Sequence, residues 1–145
     1  HNGRRRQRQM CIRDRLCCIS PSSTIIKKKL FDKIGYFDES FEVCEDYEFW
    51  LRVSSKIKIH FLEDKLTIKH GGHDGQLSKK YWGMDRFRIM AIEKNILNNR
   101  FNEEQKNYAI DDLISKIKII LIGAKNRNNQ KLFSEYHNKL LKWKS

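Results

Sequence analysis

The residues best placed to do chemistry in this sequence are two adjacent carboxylates, Glu45 and Asp46, at the predicted start of a helix. The free N–H groups of a first helical turn and the helix dipole both stabilise negative charge at this place. A carboxylate held there stays ionised near neutral pH and can accept a proton from a reacting hydroxyl. Acidic residues also stabilise first turns without any chemistry, so the pair taken alone favours helix capping over catalysis.

The elements expected to position this pair alternate between strands and helices. Alternating or continuous apolar residues predict short strands, at 16–19, 56–61 and 66–69. Apolar residues at helical spacing predict a helix over 24–34, capped by Ser22 or Ser23 and ended by Gly35. The acidic pair begins a helix over 45–54. A further helix is predicted over 79–97, with an inner face made of Trp82, Ile89, Ile92 and Ile96.

The last third of the sequence predicts two helices, over 103–122 and 130–143. Because short helices are marginal alone, we expect this pair to pack on the preceding part of the chain. No apolar run approaches the roughly 18 residues that span a membrane, and no signal peptide is recognised. The four cysteines lack the spacing of metal ligands and are interpreted as reduced thiols of a cytosolic protein.

Charge is distributed unevenly along the 145 residues, whose formal net charge of +12 favours anionic partners. Residues 1–15 contain six arginines, one aspartate and no lysine, whereas the rest is rich in lysine, isoleucine and asparagine. This arm resembles translated sequencing-adapter read-through, of the kind found in proteins predicted from metagenomic assemblies, and we exclude it from fold reasoning. The alternative is a natural basic arm that binds nucleic acid.

An ordered set of motifs runs from residue 16 to residue 78. An apolar strand is followed by Ser-Pro-Ser-Ser and a helix ending in Ile-Gly, then by Tyr-Phe-Asp-Glu, Glu-Asp-Tyr-Glu-Phe-Trp-Leu-Arg and His-Asp-Gly-Gln-Leu-Ser. This set resembles the family 2 glycosyltransferases of the GT-A fold. The resemblance implies an α/β fold, with the C-terminal half of a GT-A (Rossmann-like) domain over 16–100 and a helical hairpin over 101–145.

The resemblance implies inverting transfer of a sugar from a nucleotide sugar to a cell-surface glycan or lipid-linked acceptor. An acceptor hydroxyl attacks the anomeric carbon, and a carboxylate takes its proton, which contributes roughly 10²–10⁴-fold. Matched to the family's Glu-Asp motif, Asp46 is the base and Glu45 contacts the acceptor or orients the site. The same match assigns four further residues to acceptor binding: Asp38, Trp50, Gln76 and Ser78.

Two of these acceptor assignments have a structural alternative. The helical spacing of Trp50 favours core packing over stacking on a sugar. Ser78 suits a helix cap as well as it suits a contact to phosphate or acceptor.

Family members neutralise the leaving diphosphate with Mg²⁺ or Mn²⁺, held mainly by an upstream Asp-x-Asp motif. This sequence has no such motif in a suitable place. A later loop often supplies a histidine, and His73 fits that position better than His70, although a lone loop histidine is more often only solvated. Because the family's donor-binding half is missing, we expect the chain alone to be inactive. We expect its parent to be cytoplasmic, with peripheral contact to the inner face of the membrane left open.

Two functions from other classes remain as alternatives. A basic nucleic-acid-binding module would need exposed aromatic residues beside its basic residues, but most aromatic residues here follow apolar helix faces. We therefore expect no nucleic-acid partner. The C-terminal helices could instead form a helical interaction module.

Overall fold

The computed structural model describes residues 19–60, 62–64, 66–68 and 81–144. Within these ranges the chain forms one 3₁₀ turn at Pro21–Ser23, five α-helices and no strand. The predicted α/β class is therefore wrong for the described part of the chain, which is helical. The helices are α1 (Lys28–Ile34), α2 (Glu45–Lys56), α3 (Asp85–Leu97), α4 (Glu103–Asn126) and α5 (Gln130–Lys144).

The segment predicted as a strand over 56–61 shows why the α/β prediction failed. Lys56 is the last residue of α2, and residues 57–60 are irregular. Ile57 and Ile59 are nevertheless half-buried against the core, while Lys58 and His60 are exposed. The alternating pattern therefore identified the buried side correctly. The pattern gives no information on whether a neighbouring strand is present, and a sheet forms only through hydrogen bonds to such a strand.

The other two strand predictions fall partly outside the described ranges. Of the segment 16–19 only Ile19 is described, and it is irregular. Residues 66–68 are also irregular, and residue 69 lies outside the described residues. The predicted division of the chain at residues 15 and 100 stays a prediction.

Helix α2 lies at the centre of the core and is buried on nearly every side. Seven consecutive residues, from Tyr47 to Val53, are buried. Helix α3 packs on α2 through Ile89, Ile92 and Ile96, and α4 packs in turn on α3. Burying one such side chain stabilises the fold by roughly 1.5–3 kcal/mol. The successive packing of α2, α3 and α4 therefore fixes the position of the acidic start of α2.

The two predicted C-terminal helices are present and pack on each other, although α4 continues to Asn126, beyond its predicted end at residue 122. Asn102 and Gln105 form a capping box at the start of α4, because each side chain accepts a hydrogen bond from the other residue's backbone N–H. Glu93 of α3 then anchors α5. It accepts hydrogen bonds from Lys139 Nζ at 2.6 Å and Trp143 Nε1 at 2.9 Å.

Helix α1 is shorter than predicted, because residues 21–23 form a 3₁₀ turn instead of capping a helix. Thr24 donates its hydroxyl to the Ser20 carbonyl at 2.8 Å, which holds this residue in the turn. The predicted end at Gly35 is confirmed, since Gly35 has a φ of 88° and its N–H bonds to the Phe31 carbonyl. No described helix is both long enough and apolar enough to cross a membrane.

Candidate functional site

The candidate site is the start of α2, where Glu45 and Asp46 lie as the sequence predicts. The preceding residue, Cys44, is buried and adopts a left-handed conformation with a φ of 64°, which turns the chain directly into the helix. Asp46 Oδ1 accepts the backbone N–H of Tyr47 at 2.7 Å. Both carboxylates are half-buried. One oxygen of Asp46 is thus fixed on the first turn.

The other oxygen of Asp46 is the chemically useful one. Among the described residues, Asp46 forms no ion pair and no hydrogen bond beyond the one to Tyr47. A half-buried carboxylate with an unbonded oxygen can accept a proton from a hydroxyl group that reaches it within hydrogen-bonding distance. Glu45 lies beside it on the same turn and can contact the same molecule.

A buried ion-pair cluster around Glu48 holds α2 in place. Glu48 is fully buried, and its two oxygens accept hydrogen bonds from Arg52 Nε at 2.9 Å each. Arg100 and Asn95 donate to Glu48 Oε1 at 3.2 Å and 3.3 Å. The Arg52 guanidinium also donates to the carbonyls of Ile34 and Tyr36, both at 2.7 Å. The cluster therefore joins α2 to α3 and to the end of α1.

The start of α2 is also tied to α3 and α4. Tyr47 donates its hydroxyl to Asp112 Oδ2 at 3.3 Å, and Lys116 Nζ donates to Asp112 Oδ1 at 3.1 Å. Cys44 Sγ lies 3.9 Å from the Met84 carbonyl, immediately before α3. These contacts attach Cys44 and Tyr47, the residues on either side of the Glu45–Asp46 pair in the sequence, to the rest of the core.

Asp38, assigned to acceptor binding, is engaged with protein groups. It accepts hydrogen bonds from the Ser40 hydroxyl at 2.6 Å and the Ser40 N–H at 3.1 Å, and it pairs with Lys94 Nζ. Burial raises the pKa of Asp38, but the hydrogen bonds from Lys94 and Ser40 outweigh it and hold the pKa at about 2. Asp38 therefore links the loop before α2 to α3, and its acceptor role stays a prediction.

The remaining predicted site residues are mostly outside the described ranges. His73, Gln76 and Ser78 all lie there. Trp50 is 2 % exposed and contacts Phe49 edge-on at 5.1 Å, so it occupies the core, as its helical spacing favours. No group of three or more metal-ligating side chains occurs among the described residues. The Mg²⁺ or Mn²⁺ that the resemblance implies stays a prediction, because His73 lies outside the described residues.

A groove of about 270 Å³ lies between the chain leading into α3 and the end of α4, and its lining residue Met84 is the one whose carbonyl lies 3.9 Å from Cys44 Sγ. Trp82 lies at the edge of this groove and is 47 % exposed. The guanidinium groups of Arg86 and Arg127 lie over its ring, 4.5 Å and 4.9 Å from the ring centre. The prediction that Trp82 faces the core was wrong, because it precedes α3 instead of belonging to it. The lining residues are Trp82, Gly83, Met84, Asp85, Arg88, Ile119, Ile120, Gly123 and Arg127.

Arg88 connects this groove to the start of α2. Burial alone would lower the pKa of Arg88. The Asp85 carboxylate, 2.9 Å from Arg88 Nη1, raises this pKa through its hydrogen bond and its charge, and nearby Cys44 and Tyr47 raise it further, so that it lies above the usual value. Arg88 is therefore held as a cation next to the residues that begin α2.

Sequence reasoning missed both the Glu48 cluster and the groove. The spacing of Glu48 and Arg52, four residues apart on one helix, is a signal that could have indicated their ion pair. The groove has no comparable signal, since its residues come from two segments more than thirty positions apart.

Two curated proteins described as uncharacterized glycosyltransferases are similar to this chain. The one from Rickettsia felis is 36% identical over 58 residues, which cover 40% of this chain and 10% of the relative. The one from Rickettsia conorii is 33% identical over 58 residues, covering 40% of this chain and 9% of the relative. The matched segment thus spans about a tenth of each relative's length. No family model and no solved structure matches the chain. The similarity supports a relationship to glycosyltransferases.

Proposed function

We propose that this chain is the acceptor-binding part of an inverting, family 2-type glycosyltransferase, with Asp46 as its general base. The similarity to two proteins described as glycosyltransferases supports the reaction class. The observation that carries the residue assignment is the carboxylate of Asp46. It is half-buried in the first turn of a core helix, with one oxygen fixed and the other unbonded within the described residues.

In the proposed reaction, an acceptor hydroxyl attacks the anomeric carbon of a nucleotide sugar. The bond from that carbon to the diphosphate oxygen breaks with its electron pair, and the hydroxyl proton passes to Asp46. Glu45 orients the acceptor. The Glu48–Arg52 pair acts as a positioning device, because it fixes the rotation of α2 and therefore the direction in which Asp46 points. The described residues form no cation site, so no step is assigned to Mg²⁺ or Mn²⁺.

The donor site and the complete reaction are assigned to the whole protein, of which this chain supplies the acceptor side. The acceptor is proposed to be a cell-surface glycan or a lipid-linked sugar, reached from the cytoplasmic face of a membrane. The positive charge of the chain supports an anionic acceptor or lipid surface. By itself this chain is expected to transfer no sugar.

The experiment is the Asp46→Asn substitution in the complete enzyme, assayed for transfer of labelled sugar from UDP- and GDP-sugars to acceptors extracted from the host membrane. Removing the base should lower kcat by roughly 10²–10⁴-fold without changing the unfolding midpoint. Asp111→Asn, at an exposed carboxylate on α4, is the matched control and should retain activity. If Asp46→Asn keeps more than a tenth of the activity, Asp46 is not the base.

A further inference from the structure

The groove between the chain leading into α3 and the end of α4 combines positive charge with apolar surface. Arg88 and Arg127 line it and Arg86 lies beside it, whereas Asp85 is the single carboxylate among its lining residues in the described part of the chain. Asp85 pairs with Arg88. Arg127 has no carboxylate partner among the described residues. The local charge is therefore positive, and at least one guanidinium is open to an anion.

The arginines are also short of hydrogen-bond acceptors. Arg86 donates from Nη2 to the Trp82 carbonyl at 2.8 Å, but its Nε has no partner within the described structure. The same holds for Arg88 Nε. A buried donor without an acceptor is unfavourable, which favours a shift of the Arg88 side chain, at the groove lining, toward the acceptor oxygens of a ligand. Guanidinium groups match phosphate oxygens in geometry as well as in charge.

The rest of the groove is apolar. Met84, Ile119 and Ile120 line it. Ile119 and Ile122, three residues apart on one face of α4, are 58 % and 62 % exposed. A small inorganic anion bound to the arginines would leave these apolar side chains exposed to water. A phosphate ester carried on a hydrocarbon chain would cover it, with a gain of roughly 25 cal/mol for each Å² of apolar surface buried.

We propose that this groove binds a lipid phosphate, with Arg127 and Arg88 contacting the phosphate and Met84, Ile119 and Ile120 contacting the hydrocarbon chain. The Met84 carbonyl, at the groove, lies 3.9 Å from Sγ of Cys44, the residue that directly precedes Glu45 and Asp46. The identification of this lipid phosphate as the sugar acceptor rests on the proposed function. The proposal that the groove binds a lipid phosphate does not depend on it.

Gly123 provides a specific test, because it lies in α4 directly beneath the guanidinium of Arg127. A Cβ atom at position 123 would stand 2.8 Å from Arg127 Nη2. Since a helical alanine is favoured over glycine and the crowded atom ends a flexible side chain, Gly123→Ala should displace Arg127 without unfolding α4. It changes the position of the charge and keeps the charge itself.

The test measures binding of the chain to phosphatidylcholine vesicles containing a minor fraction of phosphatidic acid, a phosphate monoester. Vesicles with the same fraction of phosphatidylserine serve as the comparison. We expect tighter binding to phosphatidic acid. Arg127→Gln should weaken it about tenfold or more, the value of one charged hydrogen bond, and Gly123→Ala about threefold or more. Lys28→Gln, on the exposed side of α1, removes the same charge and should have a smaller effect.

Three results would overturn the assignment of this groove. Equal binding to both vesicle types, or equal losses for Arg127→Gln and Lys28→Gln, would mean that net charge alone attracts the chain. No loss for Gly123→Ala with unchanged unfolding would remove Arg127 from the site. Displacement by inorganic phosphate as effective as that by phosphatidic acid would exclude the lipid contact. If vesicle binding fails while Asp46→Asn still abolishes transfer, the groove assignment fails and the glycosyltransferase proposal stands.

Discussion

Glu48→Gln should destabilise the protein far more than the same kind of change at Asp46, two residues earlier on the same helix. Glu48 is fully buried and accepts hydrogen bonds from three side chains, two of them guanidinium groups. Glutamine keeps the shape of glutamate but removes its charge. The side-chain NH₂ group of glutamine would also face the hydrogen-bond donors of Arg52, Asn95 and Arg100, which need an acceptor. The buried Arg52 cation would therefore lose its counter-charge.

The expected cost follows from these contacts. Breaking a buried ion pair by removing one partner costs roughly 3–5 kcal/mol. The lower end applies here, because Arg52 keeps the carbonyls of Ile34 and Tyr36 and the Arg100 side chain is 31% exposed. A loss of about 3 kcal/mol is a large part of the 5–15 kcal/mol that typically stabilises a domain. It should lower the urea midpoint by about 1–2 M.

The assay is equilibrium unfolding in urea, followed by circular dichroism, for Glu48→Gln, Asp46→Asn and the unsubstituted chain. Asp46→Asn is the matched control. It changes a half-buried carboxylate, and the Oδ1 of an asparagine can still accept the hydrogen bond from the Tyr47 N–H. The loss in free energy of unfolding should therefore be below about 1 kcal/mol. A Glu48→Gln midpoint within experimental error of the unsubstituted chain would mean that the buried cluster does not hold α2.

Two further predictions concern Asp38 and Gly35. Because the folded pKa of Asp38, at about 2, lies below its ordinary value of 3.8, its stabilising effect is present above about pH 4 and lost as the pH falls to about 2. Asp38→Asn should therefore cost about 1 kcal/mol at neutral pH, a value reduced because Lys94 is partly exposed, and clearly less at pH 2, where about half of Asp38 is protonated in the folded chain. Urea unfolding at both pH values measures this difference. Gly35→Ala should cost about 1–2 kcal/mol, because φ is 88° and the new Cβ would lie 3.3 Å from Arg52 Nη1. A Gly35→Ala urea midpoint equal to that of the unsubstituted chain would contradict the strain at Gly35.

The helices could be predicted from the sequence wherever their own residues carry the signal. The acidic first turn placed the start of α2 at Glu45, and Asn102 lies where a capping residue is expected before α4. The start of α1 was missed because serines near a proline can form a turn as readily as a cap, and here Ser20–Thr24 forms the turn. Local patterns thus gave the starts of α2, α4 and α5 and the ends of α1 and α3, but α3 begins later than predicted, at Asp85, and α4 continues to Asn126.

The strands and the groove could not be predicted because both depend on residues distant in the sequence. Alternation over 57–60 reports which side chains turn inward, but a strand also needs a partner with free N–H and C=O groups. Similarly, Arg127 reaches Trp82 only because α4 runs back alongside α3. Asp46 could be proposed as a base from the sequence because that proposal depends on one helix turn, whereas the proposal for Arg88 and Arg127 depends on tertiary packing.

The attachment of α1 to the core has a consequence for the order in which the structure opens. This helix has seven residues, none of them buried, and it is held by Arg52 and by the stacking of Phe31 on Phe49 at 5.5 Å. So short a helix is unstable once released. Amide hydrogens of α1 should therefore exchange with solvent through a local detachment that leaves α3 and α4 closed. Such a detachment would uncover the aromatic face of α2 from the side opposite its bundle partners, without disturbing the helices that support Asp46.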